Sequence, residues 1–309
     1  MARQRIIYQS QAVKIGANVA KGVQSCSYGL DVTREDVLQF GDLGAVDRII
    51  LEAPVANMEV SMYVNGLTAS QVNDILQDGI SGNPIDISIG LDNDEGQDYT
   101  AANSAVTIVS GALTSLSAEA SVGAIPTMTM GFEGTDLSYA SKTISPPARD
   151  INVATQSGVV VNVSGIGSDA SGHYVHPQSC SVSFDLGVEG LQELSLATQT
   201  NSNKYQYARV PSYPATATME LEAFAVDKGM TMTLANLEQK ASDGTVGDAN
   251  DGGYVTVGVN MGGTTFTLQS GTLDSVSFSN AIGDTAATCS ATFAVSIGST
   301  TSPSTLLIS

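Results

Sequence analysis

Few side chains in this sequence have the type and spacing that chemistry requires. The two histidines, His173 and His176, form a His-x-x-His pair in the segment GHYVHP. Such a pair can bind a metal ion when a helix places both rings on one face. The Gly/Ser-rich surroundings favour a loop or a strand end instead, and no cysteine or carboxylate lies nearby at ligand spacing. We therefore expect neither a metal site nor a Ser-His-acid triad.

A second candidate is the acidic segment LDNDEGQDY, which places Asp92, Asp94, Glu95 and Asp98 close together. Carboxylate oxygens at this density can bind Ca²⁺, but the segment lacks the glycine and the final glutamate of an EF-hand loop. A solvated loop is the favoured interpretation, and a calcium site is the alternative. The sequence also has no phosphate-binding glycine pattern. We expect a protein that is not an enzyme and has no cofactor.

The three cysteines, Cys26, Cys180 and Cys289, are an odd number spread over 309 residues. This spacing argues against a disulfide framework. Each cysteine begins a run in which apolar residues alternate with polar ones, the pattern of a strand with one buried face. We therefore interpret all three as reduced thiols that act as small buried hydrophobes.

The surroundings of two cysteines reveal an internal repeat, because QSCS followed by an aspartate occurs twice. Three segments recur in the same order: 24–31 matches 178–185, 58–60 matches 219–221, and 107–117 matches 267–277. Collinear matches of this kind predict a tandem duplication. The Pro-Pro pair and other turn residues between the copies indicate a linker. We predict one domain at 1–134, a linker at 135–150 and a second domain at 151–309.

Composition and periodicity predict a mainly β fold with two tandem units, each mostly antiparallel β with one helix against an open face. The chain is 42% hydrophobic and 14% charged, with 31 Gly and no Trp, unlike the composition of helical proteins. One short helix is predicted to flank each domain. In the first copy, Thr68 and Gln71 form a capping-box pattern and Gly79 can end the helix; its apolar face consists of Val72, Ile75 and Leu76. The last residues, 298–309, are expected to form a loose or docking tail.

A long connection follows the first strand of each copy. Connections longer than about 12 residues in compact domains are usually functional or disordered, and these contain enough apolar residues to pack against something. We interpret them as arms that dock on a neighbouring subunit. The candidate contact residues are Leu38, Phe40, Leu43, Leu191, Leu194, Tyr205 and Tyr207.

The net charge of −19, from 31 acidic and 12 basic residues, argues against a protein that reads nucleic acid. Such proteins use Lys and Arg to neutralise phosphates. The N-terminal residues lack the apolar run of a secretory signal, and no segment approaches the roughly 20 apolar residues of a membrane span. We therefore expect the protein to fold where it is synthesised, without a membrane partner.

The order of a first strand (SCSYGLDV), a long arm, a second strand (MEVSMYV), a short helix and two hairpins, given twice, resembles the major tail tube proteins of tailed bacteriophages. The resemblance implies two tandem β-sandwich or barrel domains, each flanked by a helix. It also implies rings of six such domains around a lumen through which DNA passes, with the rings stacked through the arms. Two domains per chain then imply a trimeric ring with pseudo-sixfold symmetry, or a hexamer if the domains stack along the axis. It also implies synthesis in the host cytoplasm, a place in the virion tail and other tail proteins as partners.

Under this resemblance the acidic balance has a specific role. Carboxylates that line a conduit repel phosphate, so genome DNA passes without tight binding. The lumen candidates are Asp31, Asp185, Asp92 and Asp94. The alternatives are another phage structural β protein, such as a baseplate hub, an adaptor or a capsid-surface protein, and a carbohydrate-binding adhesin. The absence of Trp and the dispersed Tyr residues disfavour the adhesin.

Overall fold

The fold is mainly β, as the sequence predicts. The computed structural model of the chain describes residues 11–50, 54–91, 105–142, 144, 147, 150–151, 153–155, 158–164, 177–191, 208–224, 255–279, 287–297 and 306–309. The first half contains β1 (Gln11–Ile15), β2 (Asn18–Val19), β3 (Val23–Asp31), β4 (Arg34–Leu38), β5 (Ala45–Ile50), β6 (Val55–Tyr63), α1 (Ala69–Ser81), β7 (Ile85–Leu91), β8 (Ala105–Ser121), β9 (Thr127–Gly134) and β10 (Leu137–Ala140). The second half contains β11 (Val159–Ser164), β12 (Pro177–Leu191), β13 (Ala208–Phe224), β14 (Val255–Met261), β15 (Thr264–Ser279), β16 (Thr288–Ile297) and β17 (Leu306–Ile308).

One antiparallel sheet runs through both halves, and we call it the shared sheet. Its strand order is β3-β6-β9-β8-β12-β13-β16-β15. The first four strands belong to the first half and the last four to the second. Alternation along each strand buries one face and leaves the other accessible; in β12, for example, Val182 and Phe184 are buried whereas Ser183 and Asp185 are exposed.

Each half adds a second layer, because one long strand, β8 or β15, leaves the shared sheet and continues into a smaller one. The N-terminal part of β8 pairs with β7 and β10, and β7 is followed by β1 and β2. The N-terminal part of β15 likewise pairs with β14 and β17, and β14 pairs with β11. Most of the buried apolar side chains that the structure describes, from both halves, form one continuous cluster, and Ala12, Ala105 and Ile144 belong to a small second one.

The pairing of the first half recurs in the second, residue for residue. Ile87 faces Ile108 in the first half, and Val257 faces Leu268 in the second. The β8–β9 pair has a register shift between Leu113 and Ser115, and the β15–β16 pair has its shift between Leu273 and Ser275. The repeated segments of the sequence are therefore equivalent strands in the structure. The boundaries of two separate domains stay a prediction.

Helix α1 begins as predicted and ends later than predicted. Thr68 and Gln71 form the capping box, and Val72, Ile75 and Leu76 are buried. Gly79 does not end the helix: it lies inside it, where an added Cβ would stand 2.9 Å from the Leu113 Cβ. The missing side chain lets the helix approach β8. The C-cap is Gly82, whose φ of +72° is the left-handed conformation that glycine adopts without strain.

The predicted linker contains a strand, and the predicted loose or docking tail docks on the chain's own core as a strand. Within the predicted linker 135–150, β10 pairs with β8, and within the predicted tail, β17 pairs with β15. Both pack apolar side chains onto the core, and Leu306 and Ile308 are buried. The second predicted helix, at 228–244, and the His173/His176 pair lie outside the described residues. Among the residues that are described, no helix has the length and apolarity to cross a membrane.

Candidate assembly surface

The open face of the shared sheet, opposite the core, is polar and acidic. Because side chains alternate between the two faces of a strand, serine, threonine and carboxylate side chains point away from the core. The acidic residues that the structure describes on this face include Asp31, Glu59, Glu119, Glu133, Asp185, Glu220, Glu222 and Asp274. Arg209 neutralises Glu133 through a charge-assisted hydrogen bond from its Nη1 to Glu133 Oε1. The face as a whole has a negative field.

Two of the predicted lumen residues lie at equivalent places on this open face. Asp31 ends β3 and Asp185 occupies the matching position of β12, and both carboxylates are exposed. Asn57 Nδ2 donates a hydrogen bond of 3.1 Å to Asp31 Oδ2. Asp92 and Asp94 lie outside the described residues. The structure therefore brings two of the four candidates onto one surface.

The sequence analysis missed other acids of the same face. Glu119, Glu220 and Glu222 line a groove of about 520 Å³ that crosses β8, β12, β13 and β16. The Ser179 hydroxyl donates to Glu222 Oε2 over 3.0 Å. The alternation of glutamate with apolar residues in the segment TMELEAF could have predicted them, because glutamates at alternate positions of a strand share its outer face. In the described part of the chain no group of three or more His, Cys, Asp or Glu side chains is placed to hold a metal ion.

The two halves are joined by antiparallel pairing of β8 with β12, which we call the internal joint. Residues Ser179–Asp185 pair with Ser115–Ser121, so that Val182 faces Ala118 and Phe184 faces Leu116. These four apolar side chains are at most 1% exposed. The joint therefore combines a hydrogen-bonded ladder with a dry apolar seam.

Hydrogen bonds other than those of the strand ladder also link the halves. The Tyr213 hydroxyl donates to the Ile80 carbonyl of α1, and Asn65 Nδ2 donates to the Gly262 carbonyl over 2.9 Å. Their donors and acceptors belong to different halves, 133 and 197 residues apart in sequence. These bonds help to fix how the two halves meet.

The shared sheet has two outer edges, β3 at one side and the C-terminal part of β15 at the other. Within the described ranges, neither edge has a further strand beside it. Apolar side chains at these edges are accessible: Tyr28 and Leu30 are each 42% exposed, and Phe278 is 55% exposed. Their equivalents at the internal joint, Val182, Phe184 and Ala118, are buried. Such edges invite pairing with another chain.

The first predicted arm is a hairpin that forms a separate two-stranded sheet. Strand β4 pairs with β5, and Arg48 Nε donates to Asp36 Oδ1 over 2.6 Å. The candidate contact residues Leu38, Phe40 and Leu43 are 76%, 107% and 109% exposed. The tip thus presents large apolar side chains entirely to solvent.

The second predicted arm starts as an extension of β12 and β13. After a register shift at Asp185, the two strands continue to pair as far as Leu191, which faces Ala208 and is half-buried. Leu194, Tyr205 and Tyr207 lie outside the described residues. The arm residues that the structure describes are therefore accessible at the first arm and paired at the base of the second.

The cysteines have the character expected of packing residues. Cys180 and Cys289 are buried and Cys26 is half-buried, and all three are free thiols. Burial raises the pKa of Cys26 to about 12 and that of Cys180 to about 11. Because only the thiolate is a nucleophile or a metal ligand, these groups are inert at neutral pH.

Comparison with models of protein families gives no match, and comparison with curated proteins gives none. The geometry of the chain itself therefore indicates what it can do. That geometry consists of an acidic open face, two accessible sheet edges and an exposed apolar hairpin.

Proposed function

We propose that this chain is a structural virion protein that assembles into rings, and that these rings stack into the tail tube of a tailed bacteriophage. One observation carries the proposal: two equivalent halves lie side by side in one sheet, joined edge to edge, and no further strand lies beside either outer edge among the described residues. Because the two halves of one chain already pair through such edges, the equivalent outer edges can pair with those of a second chain.

A head-to-tail contact of this kind is heterologous, and it forms a closed ring when its rotation closes. Closure would cover both edges, which otherwise present unpaired backbone groups. The lateral arrangement of the halves supports a trimeric ring with pseudo-sixfold symmetry. The alternative hexamer, with the two domains stacked along the axis, would need the halves end to end rather than side by side.

The acidic open face supports a role as the wall of a DNA conduit. If this face lines the lumen, its carboxylates oppose the phosphates of the genome at short range, where screening at physiological salt is incomplete. DNA would then slide through without being held. The carboxylates lie on strands, so the sheet holds them in place. Their repulsion of phosphate would therefore not require a loop to become ordered first.

The exposed hairpin supports stacking of one ring on the next. Its apolar tip would be hidden in an assembled tube, whereas a protein that forms one ring leaves it uncovered or offers it to another tail protein. This feature separates the tube from the alternative of a baseplate hub, an adaptor or a capsid-surface protein.

The test is size-exclusion chromatography combined with negative-stain electron microscopy of the purified chain over a range of concentrations. Stacked rings with a central hole are expected. Single rings that never stack would favour the hub or adaptor. A monomer under all conditions would contradict self-assembly altogether.

A further inference from the structure

We infer that β15 of one copy pairs antiparallel with β3 of a second copy, in the register of the internal joint. In this pairing Phe278 lies opposite Tyr28, Ser279 opposite Ser27, and Ser275 opposite Asp31. The inference rests on the proposed self-assembly and deepens it, because it names the partner surface and the residues that meet.

The register follows from the equivalence of strands within the chain. Strands β8 and β15 each pair with the following hairpin strand, and the matching register shifts make Ser115 equivalent to Ser275. Strands β3 and β12 are equivalent because Cys26 faces Val60 and Cys180 faces Leu221 in the repeated pairing. The internal joint is therefore a template for a contact between copies.

Each predicted pair follows when the register of the internal joint is applied to β15 of one copy and β3 of the next. The internal pair of Ala118 with Val182 becomes Phe278 with Tyr28, and the pair of Glu119 with Ser181 becomes Ser279 with Ser27. On the core face, two half-exposed aromatic rings would cover each other. Directly opposed side chains in an antiparallel pair are close enough to pack, and aromatic pairs are among the favourable ones.

The open face of the predicted contact consists mainly of small polar side chains. The internal pair of Ser115 with Asp185 becomes Ser275 with Asp31, so a hydroxyl donor faces a carboxylate. The remaining opposed pair is Ser277 with Gly29. No two acids would be directly opposed, but the exposed Asp274 precedes Ser275 in β15 and would be a near neighbour of Asp31, so one like-charge repulsion remains at this end of the contact.

The test is a disulfide across the predicted contact, from the double variant Ser27→Cys/Ser279→Cys. Directly opposed residues have Cα atoms about 4.5 to 5.5 Å apart, within the range that a disulfide spans. The matched control is Ser27→Cys/Ser277→Cys, whose cysteines would be diagonal neighbours about 7 to 8 Å apart. All three positions are exposed on the open face, so neither variant disturbs the core.

After mild oxidation, the first variant should form a ladder of covalent oligomers on a non-reducing gel, and mass spectrometry should find the peptide that links residues 27 and 279. The control should cross-link at least about tenfold less, since diagonal geometry is poor for a disulfide. Equal cross-linking by both variants, or none by the first in assembled protein, would overturn the register.

Mixing the two single variants tests the pairing without relying on the double variant. Ser27→Cys mixed with Ser279→Cys should give covalent dimers, and neither alone should do so, because the contact joins two different edges. Dimers from one variant alone would overturn the inference. Rings without the cross-link would refute the register and leave the proposed function standing. The cross-link in open chains that never form rings or tubes would confirm the register and refute the function.

Discussion

Replacement of Phe278 by serine should weaken assembly while leaving the single chain intact. Phe278 is 55% exposed in the chain alone, so the fold has little packing to lose. Its strand is one of the two free edges of the shared sheet, and the inferred contact covers its ring with Tyr28 of a neighbour. The substitution therefore acts on association rather than on folding.

The expected size follows from the exposed area. An aromatic side chain buries about 150 to 250 Å², so the accessible 55% of Phe278 corresponds to about 80 to 140 Å². At about 25 cal/mol per Å², covering this area contributes about 2 to 3.5 kcal/mol. Ordering the side chain costs about 0.5 to 1.5 kcal/mol. A net loss of about 0.5 to 3 kcal/mol weakens each contact about 2-fold to 140-fold.

Analytical ultracentrifugation over a concentration series measures this change, and thermal unfolding of the dissociated chain checks that the fold is unaffected. The matched control is Tyr139→Ser, because Tyr139 is 56% exposed and lies on β10, away from both edges of the shared sheet. Unchanged assembly of Phe278→Ser, or equal weakening by the control, would refute the reasoning.

Three further predictions concern the other features of the surface. Replacing Phe40 and Leu43 by serine should leave rings but abolish long tubes in negative stain, and tubes of normal length would argue against stacking through the hairpin. The double variant Glu220→Lys/Glu222→Lys should bind double-stranded DNA with an affinity that falls as salt rises, whereas the parent chain should not; fluorescence anisotropy shows which holds, and no gain in affinity would count against an accessible open face. Burial raises the pKa of Cys180 from 9.0 to about 11. The contribution of this thiol to the free energy of unfolding is therefore complete below about pH 9. It is lost as the pH rises toward 11, because the unfolded chain releases the proton first. Denaturant titrations should show a steeper loss of stability over that range than in Cys180→Ala, and parallel pH profiles would contradict the shift.

The repeat was the most predictable part of the fold, because it consists of short sequence segments that match each other. Cys26 and Cys180 mark equivalent strands, and the alternation around them gave the correct inner face. The start of α1 was equally predictable, because a capping box involves only Thr68 and Gln71, which are close in sequence. Features that depend on a few neighbouring residues were recovered in this way.

Features that depend on distant contacts were not recovered. Gly79 and Gly82 are both acceptable helix ends by local rules, and the approach of α1 to Leu113 decides between them. Strands β10 and β17 are too short to show a period and form because β8 and β15 offer them free backbone groups. The internal joint leaves no local signal, since it pairs strands from different copies.

The candidate surface was predicted only in part, because it too depends on contacts between strands that are distant in sequence. Asp31 and Asp185 were chosen because they recur in the repeat, and both lie on the open face. Glu220 and Glu222 were missed although their alternation with Leu221 places them outward. Only the shared sheet reveals that acids from both halves form one surface.

The most direct test of the central claim is cryo-electron microscopy of the assembled protein, at a resolution that separates strands. We predict a threefold ring in which the shared sheets of three chains join into one continuous wall, with Glu119, Glu220 and Glu222 facing the lumen. A ring in which the edges of the shared sheet stay apart, or in which the acidic face points outward, would contradict the account.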